Sequence, residues 1–256
     1  GDLAVHDGRV YRLNSDRYFD FGRHAVKLRS DDRLLRIVYE PDRLDFKWLP
    51  DLWLAYGAKG FVALAFFMLS LFAQQVRNAP LWHGSIFFLE ITGLPGSGKS
   101  TLVVFLQKLL GRGAGSGHEG YDPNSSKVSA AALGRILMRV ANLPEGLIEG
   151  GRDDDKGNGQ RKFDYNELLT LYDGRNPRAT GQKTDGYEVH EQPFLGTIYL
   201  MQNERIDAQT AVLERLVSMN IGKELHSEIG REAADRLKQW PIDALSGTIV
   251  HVVRQE

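Results

Sequence analysis

The stretch Gly93-Leu94-Pro95-Gly96-Ser97-Gly98-Lys99-Ser100-Thr101 sets two glycines five positions apart, directly ahead of a lysine and two hydroxyl residues. Gly93, Gly96 and Gly98 let the backbone curl so that successive N–H groups point inward, with Pro95 and Ser97 completing the loop. Such a cradle binds phosphate oxygens, and a helix starting at its end directs the positive end of its dipole at the same anion. Lys99 is placed to bridge the β- and γ-phosphates of a nucleotide, Ser100 to ligate magnesium and Thr101 to touch the α-phosphate. The chemistry implied is the binding of ATP with Mg2+.

Hydrolysis also needs an acid near the metal and the attacking water, at the end of a neighbouring parallel strand. Glu149 follows the short apolar run Leu147-Ile148 and is the candidate, both as a catalytic group and as a magnesium ligand. Asp153, Asp154 and Asp155 compete for the role, although a charge run beside glycines reads first as a solvated loop. Asn203, just past Thr197-Ile198-Tyr199-Leu200-Met201, is a candidate for holding the attacking water or sensing the γ-phosphate; the alternative is a turn-forming asparagine. Arg215 falls on an expected helix, in Val212-Leu213-Glu214-Arg215-Leu216-Val217. It reads equally as a cation aimed at a neighbour's γ-phosphate and as an exposed helix residue paired with a carboxylate.

The elements that must position these groups follow from the apolar pattern. Ile86 to Ile91 is a nearly continuous β-prone run that suits a strand buried on both faces of a parallel sheet. Beyond the glycine loop, Leu102, Phe105, Leu106, Leu109 and Leu110 recur at helical spacing until Gly111-Arg112-Gly113. A second helix is expected over Ser126 to Val140. A third follows an Asp164/Glu167 capping box, and a core strand runs from Gly196 to Gln202. Asp207 is expected to cap a helix reaching Leu216, with two further helical segments over Leu225 to Leu237 and Ile242 to Val253. Upstream, short β-prone runs including Leu35 to Tyr39 alternate with turn signals, and a helical pattern covers Leu52 to Val76. The expected division is residues 1–50 as a small β-rich unit, 51–84 as a helical connector, 85–220 as the P-loop core and 221–256 as a C-terminal helical segment.

Composition narrows the setting. Among 256 residues, 32 basic against 33 acidic side chains leave a net charge of −1, so any contact with a polyanion must be local. The absence of cysteine excludes disulfides, thiolate metal sites and a cysteine nucleophile. It fits a reducing interior, and a cytoplasmic location is expected. The most apolar stretch, Phe61 to Ala73, is shorter than the roughly 20 residues that span a bilayer, and a buried helix with no membrane partner is expected. The chain opens Gly1-Asp2 without methionine or an apolar leader and reads as a piece of a larger protein.

In order, the glycine loop, the strand before Glu149, the stretch Asn166-Glu167-Leu168-Leu169-Thr170-Leu171-Tyr172-Asp173-Gly174-Arg175, the strand ending in Gln202-Asn203, and Arg215 resemble the superfamily three helicases. The resemblance covers roughly residues 87–221 and is closest to the ATPase part of phage and plasmid primase-helicases. It implies an AAA+-like parallel sheet flanked by helices, assembled as a ring, usually a hexamer, with ATP at subunit interfaces. It makes Lys99 and Ser100 the Walker A pair, Glu149 the Walker B acid, Asn203 the first sensor and Arg215 a finger supplied in trans. It also implies a pore hairpin over Arg175 to Glu191 gripping single-stranded DNA, with Lys183 at the tip and Arg178 nearby. A primase-like domain in the full-length protein is a further expectation. Gly150-Gly151 departs from the family by replacing a second acidic residue often found beside the Walker B acid.

Two other readings stand beside a helicase or translocase motor. One is a P-loop kinase for a small molecule or polynucleotide, in which Asn203 and Arg215 have no obvious task. The other is a slow ATP-gated DNA-binding assembly module. Arg231 and Arg236 are equal candidates for a second sensor from the C-terminal helices.

Overall fold

The computed structural model describes residues 3–7, 9–27, 35–40, 44–82, 84–113, 120–124, 130–138, 141–148, 163–176, 180–181, 189–190, 193–222 and 227–254. Its centre is a four-stranded parallel sheet of β5 (Phe88–Thr92), β6 (Pro144–Ile148), β9 (Thr197–Met201) and β10 (Leu216–Asn220), in the order β10-β5-β9-β6. Every residue of β5 and β9 is buried, as a continuous apolar run in a sheet covered on both faces requires. Tyr121 extends the pattern beyond β6 through a parallel bridge to Leu147.

Helices cover the sheet. α3 (Lys99–Leu109) follows β5 and turns Leu102, Phe105, Leu106 and Leu109 into the core. It ends where Gly111 takes a φ of 74°, and a methyl group there would stand 2.9 Å from the Arg36 carbonyl oxygen. α4 (Ala130–Met138) and α5 (Glu167–Tyr172) pack in a second cluster with Phe88, Phe163 and Phe194. Before β5 lie α1 (Trp48–Ser70) and α2 (Ala73–Asn78). By length and composition alone, the 23-residue α1 is apolar enough to cross a bilayer and is longer than the apolar stretch that marked it. Its inner face is nonetheless part of the core: Trp48 meets Phe105 edge-on, and Phe67 lies 5.3 Å from the Tyr199 ring. Gly57, at φ 55° and ψ −144°, breaks the helix in a conformation open to glycine.

The N-terminal unit contains two short hairpins, β1 (Leu3–His6) with β2 (Arg9–Arg12) and β3 (Tyr18–Asp20) with β4 (Ala25–Lys27). Leu35 to Tyr39 is not a strand. The Arg36 N–H donates to the Gly111 carbonyl and the Val38 N–H to the Ser246 hydroxyl, so these donors are not spent on a strand ladder.

Four further expectations change. The helix expected to reach Leu216 is only α6 (Thr210–Leu213), and the residues after it form β10, which pairs in parallel with β5 from Leu216↔Phe88 to Asn220↔Thr92. The open edge of the sheet wins over a local helical pattern. The helix expected from Leu225 starts later, as α7 (Glu228–Gln239), where the Ser227 hydroxyl accepts from the Gly230 N–H. The last helix is two, α8 (Ile242–Leu245) and α9 (Gly247–Val253). Finally, the Asp164 carboxylate accepts from the Asn166 N–H in a turn before α5 and caps no helix terminus. The expected hairpin is present in its arms: β7 (Thr180–Gly181) pairs antiparallel with β8 (Val189–His190).

Arg77, at the end of α2, ties these helices to the sheet. Its guanidinium donates to the carbonyls of Gly84, Leu171, Tyr172 and Gly196 and stacks over Phe194. Burial pushes its pKa down to about 10, which leaves it charged at neutral pH. Replacing it with methionine strands four inward-facing carbonyls, so Arg77→Met should lose about 3 kcal/mol or more of unfolding free energy. Urea denaturation followed by circular dichroism checks this; a midpoint within error of the parent chain would show that water satisfies these carbonyls.

Candidate nucleotide site

From Thr92 at the end of β5 the chain turns through Gly93, Gly96 and Gly98, with φ of 150°, 77° and 93°. A methyl group on Gly93 would meet the Ile221 carbonyl oxygen at 2.3 Å, and backbone cannot yield as a flexible side chain can. Gly98 precedes α3, and the helix begins with Lys99. The result is a phosphate cradle at a helix N-terminus, in a geometry that glycine alone tolerates.

Lys99 is mostly buried, and its ammonium turns back into the loop. It donates to the Gly93 carbonyl, to that of Leu94 at 3.2 Å and to Asn203 Oδ1 at 3.3 Å. The Gly93 N–H in turn donates to the Asn203 carbonyl, which holds the loop and the end of β9 together. Two residues 104 positions apart thus meet at one point. An ammonium engaged by these neutral oxygens is placed to exchange them for phosphate, where its charge is matched.

A cavity of about 700 Å³ opens beside the loop, with Pro95 to Thr101 on one wall and Gln202 and Asn203 at one end. Its other walls come from α1, through Ala55 and Tyr56, and from α7, through Gly230, Arg231, Ala234 and Asp235. Tyr56 stands immediately before the break at Gly57, and its hydroxyl donates to the Gly98 carbonyl at 3.0 Å. Burial pushes the pKa of this phenol well up, so it stays a donor throughout the physiological range. Lys99 and Asn203 meet at the loop side of this cavity, and Ala55, Gly230 and Ala234 line its α1 and α7 walls.

Arg215 lies elsewhere. It sits in the turn between α6 and β10, and its carbonyl accepts from the Phe88 N–H at the start of β5. The cradle begins at the opposite end of that strand, about 13 Å away for five residues. Its guanidinium lies 4.9 Å from the centroid of the Tyr172 ring, and Nη1 donates to the Ala211 carbonyl. Glu149, Arg178 and Lys183 lie outside the described residues. β6 does end at Ile148, one strand away from β5, and the hairpin arms flank the position of Lys183. Among the described residues, no three His, Asp or Glu side chains cluster as metal ligands. Ser100, at the first turn of α3, faces the cavity and suits a metal held partly by the nucleotide itself.

No family model matches the sequence, and comparison with curated proteins gives no match. Solved structures do. SCCmec type IV Cch, described as an active helicase, aligns with a TM-score of 0.50 at 15% identity, over 88% of this chain and 39% of that one. JCV helicase bound to an acetamide compound gives 0.43 at 16% identity, over 80% and 52%. The apo C-terminal region of NrS-1 gives 0.42 at 14% identity, over 96% and 52%. This chain has a helicase-like P-loop fold. It spans between 39% and 52% of the length of these proteins. The expected α/β P-loop fold, a parallel sheet flanked by helices, is met, and such a fold implies nucleotide binding.

Of the two lid arginines, the geometry separates them. Arg236 is held by Asp51 of α1 through Nε at 3.0 Å and Nη2 at 2.7 Å, whereas Arg231 lines the cavity. Sequence reasoning missed Tyr56 and Ala55, because nothing in an apolar helical run 40 residues ahead of the loop marks one tyrosine as a loop contact. Tyr56→Phe removes one buried hydrogen bond, and about 1 kcal/mol of lost cradle stability should weaken nucleotide binding roughly fivefold. Titration with a fluorescent ATP analogue checks it, and unchanged affinity would reduce Tyr56 to packing.

Proposed function

We propose that this chain is the ATPase motor of a replication helicase, turning over ATP between neighbouring copies in a ring and gripping single-stranded DNA with its hairpin. One observation supports this reading above the others: Lys99 and Asn203 converge at the carboxyl end of β5, while Arg215 stands at the amino end of the adjoining strand. An arginine there is far from the γ-phosphate of its own site. A second copy brings it within reach. A kinase lid would need its arginine on the near side.

In this reading the backbone of Gly93, Pro95, Gly96, Ser97 and Gly98 holds the triphosphate, Lys99 neutralises the β- and γ-oxygens, and Thr101 touches the α-phosphate. Ser100 and Glu149 would hold Mg2+, which would supply positive charge to offset the negative charge of the phosphates. Asn203 orients a water for in-line attack on the γ-phosphorus. A new P–O bond forms as the bond to the β–γ bridging oxygen breaks, and ADP departs. Arg215 of a neighbouring copy stabilises the charge that builds on the transferring group. Arg178 and Lys183 contact DNA phosphates. The ring is a hexamer, the setting is the cytoplasm, and a primase-like domain belongs to the full-length protein.

Lys99→Ala should abolish turnover, and Arg215→Ala should retain ATP binding while slowing hydrolysis by about three orders of magnitude. Mixing the two dead variants is the decisive assay. A ring holding both contains some pockets with an intact lysine and an intact arginine from next door, so activity should return. A mixture as inactive as its components, despite shared assemblies by native mass spectrometry, would remove the trans arrangement. Separately, Lys183→Ala should weaken single-stranded DNA binding and lower the salt slope by about one unit. Equal affinity at every salt concentration would discard the hairpin as the DNA contact.

A further inference from the structure

Arg112 is paired with Glu145 at 2.7 Å in the interior, and Arg236 with Asp51 at the same distance. Among the described residues Arg215 instead engages neutral groups, as Arg77 does: the face of Tyr172 at 4.9 Å and, through Nη1, the Ala211 carbonyl one turn back. Its Nε is buried and has no hydrogen-bond partner among the described residues. A carboxylate partner would neutralise the guanidinium and compete with any anion brought to it. An aromatic face stabilises the cation by about 0.5–1 kcal/mol, leaves its charge intact and restrains its plane.

Tyr172 is anchored through its backbone carbonyl and its ring. The Tyr172 carbonyl accepts from Arg77 Nη1 at 2.7 Å and from the Ile86 N–H at 3.3 Å. Its ring stands edge-on to Phe88, with centroids 6.2 Å apart. Phe88 is also the residue whose N–H donates to the Arg215 carbonyl, so the shelf and the backbone of the cation share one reference point in β5. The local element gives little help, because α6 has only four residues. An unsupported arginine there would explore many rotamers and lose that freedom on meeting a phosphate.

We propose that Tyr172 is a positioning residue for Arg215: its ring is a neutral shelf that restrains the guanidinium without neutralising it, ready for the nucleotide of an adjoining copy. This rests on the reading of Arg215 as a trans-acting group. Tyr172 touches neither nucleotide nor metal and acts through the arginine alone.

The test compares steady-state ATPase kinetics of the assembled full chain for Tyr172→Phe, Tyr172→Leu, Arg215→Ala and the double variant Tyr172→Leu/Arg215→Ala. A second apolar replacement, Tyr172→Met, serves should the leucine variant fail to fold, as judged by its melting curve. Tyr172→Phe, which keeps the ring, should retain the parent kcat. Loss of the ring should lower kcat about tenfold at unchanged KM and unchanged assembly, through misplacement of the cation. The double variant should be no slower than Arg215→Ala. Parent-like kcat in the leucine or methionine variant, with Arg215→Ala slow, overturns the shelf and leaves the finger standing. A double variant slower than Arg215→Ala also overturns it, because the ring would then act on something else. Parent-like turnover in Arg215→Ala removes the underlying reading, and the shelf with it.

Discussion

The parallel register between β5 and β10 is the constraint from which the rest of the site follows. Because Leu216 pairs with Phe88 and Asn220 with Thr92, the two strands begin together and end together. A residue just before β10 is therefore at the amino end of the sheet, and a residue just after β5 is at its carboxyl end. The cradle must occupy the second position, since its N–H groups belong to a loop that feeds directly into α3. A cation in the turn before β10 therefore stands one strand length from the glycine loop of its own chain.

The same geometry explains why α1 belongs to the nucleotide-binding core. A P-loop alone offers a phosphate contact on one side, and the nucleoside end needs walls. α1 supplies one by breaking at Gly57, so that Tyr56 reaches the Gly98 carbonyl and Ala55 borders the cavity. α7 supplies the other and is joined to α1 by the bidentate contact between Arg236 and Asp51. Helices from distant parts of the sequence close one pocket.

How much of this was legible in the sequence depended on the range of the interaction responsible. The glycine loop, the strand before it and the helix after it are set by local chemistry, positive φ and period, and each was readable in its own residues. The strand Gly196 to Gln202 was likewise visible, because burial on both faces leaves a continuous apolar run. The register of Leu216 to Asn220 was not. Its pattern is compatible with a helix, and only the vacant edge of β5, 128 residues upstream by the Ser218–Glu90 contact, decides for a strand. Leu35 to Tyr39 failed in the opposite sense: β-prone side chains are present, but the hydrogen bonds go to Gly111 and Ser246 instead of another strand. Tyr56 and Tyr172 carry no local signal because their roles are contacts with residues 42 positions and 43 positions away, Gly98 and Arg215.

Glu90 draws the two ends of the site into one framework. It is fully buried in the middle of β5, a position where an unpaired carboxylate would be very costly. It accepts from the Ile206 N–H at 2.9 Å and the Ser218 hydroxyl at 2.6 Å, and Arg205 stands 3.4 Å away. Ile206 lies three residues beyond Asn203, and Ser218 three beyond Arg215. One carboxylate thus fixes the loop that carries the candidate sensor and the strand that follows the candidate finger to the same point of the central strand. The loop that carries Asn203, the glycine loop and the turn that carries Arg215 are thus all held against the five residues of β5.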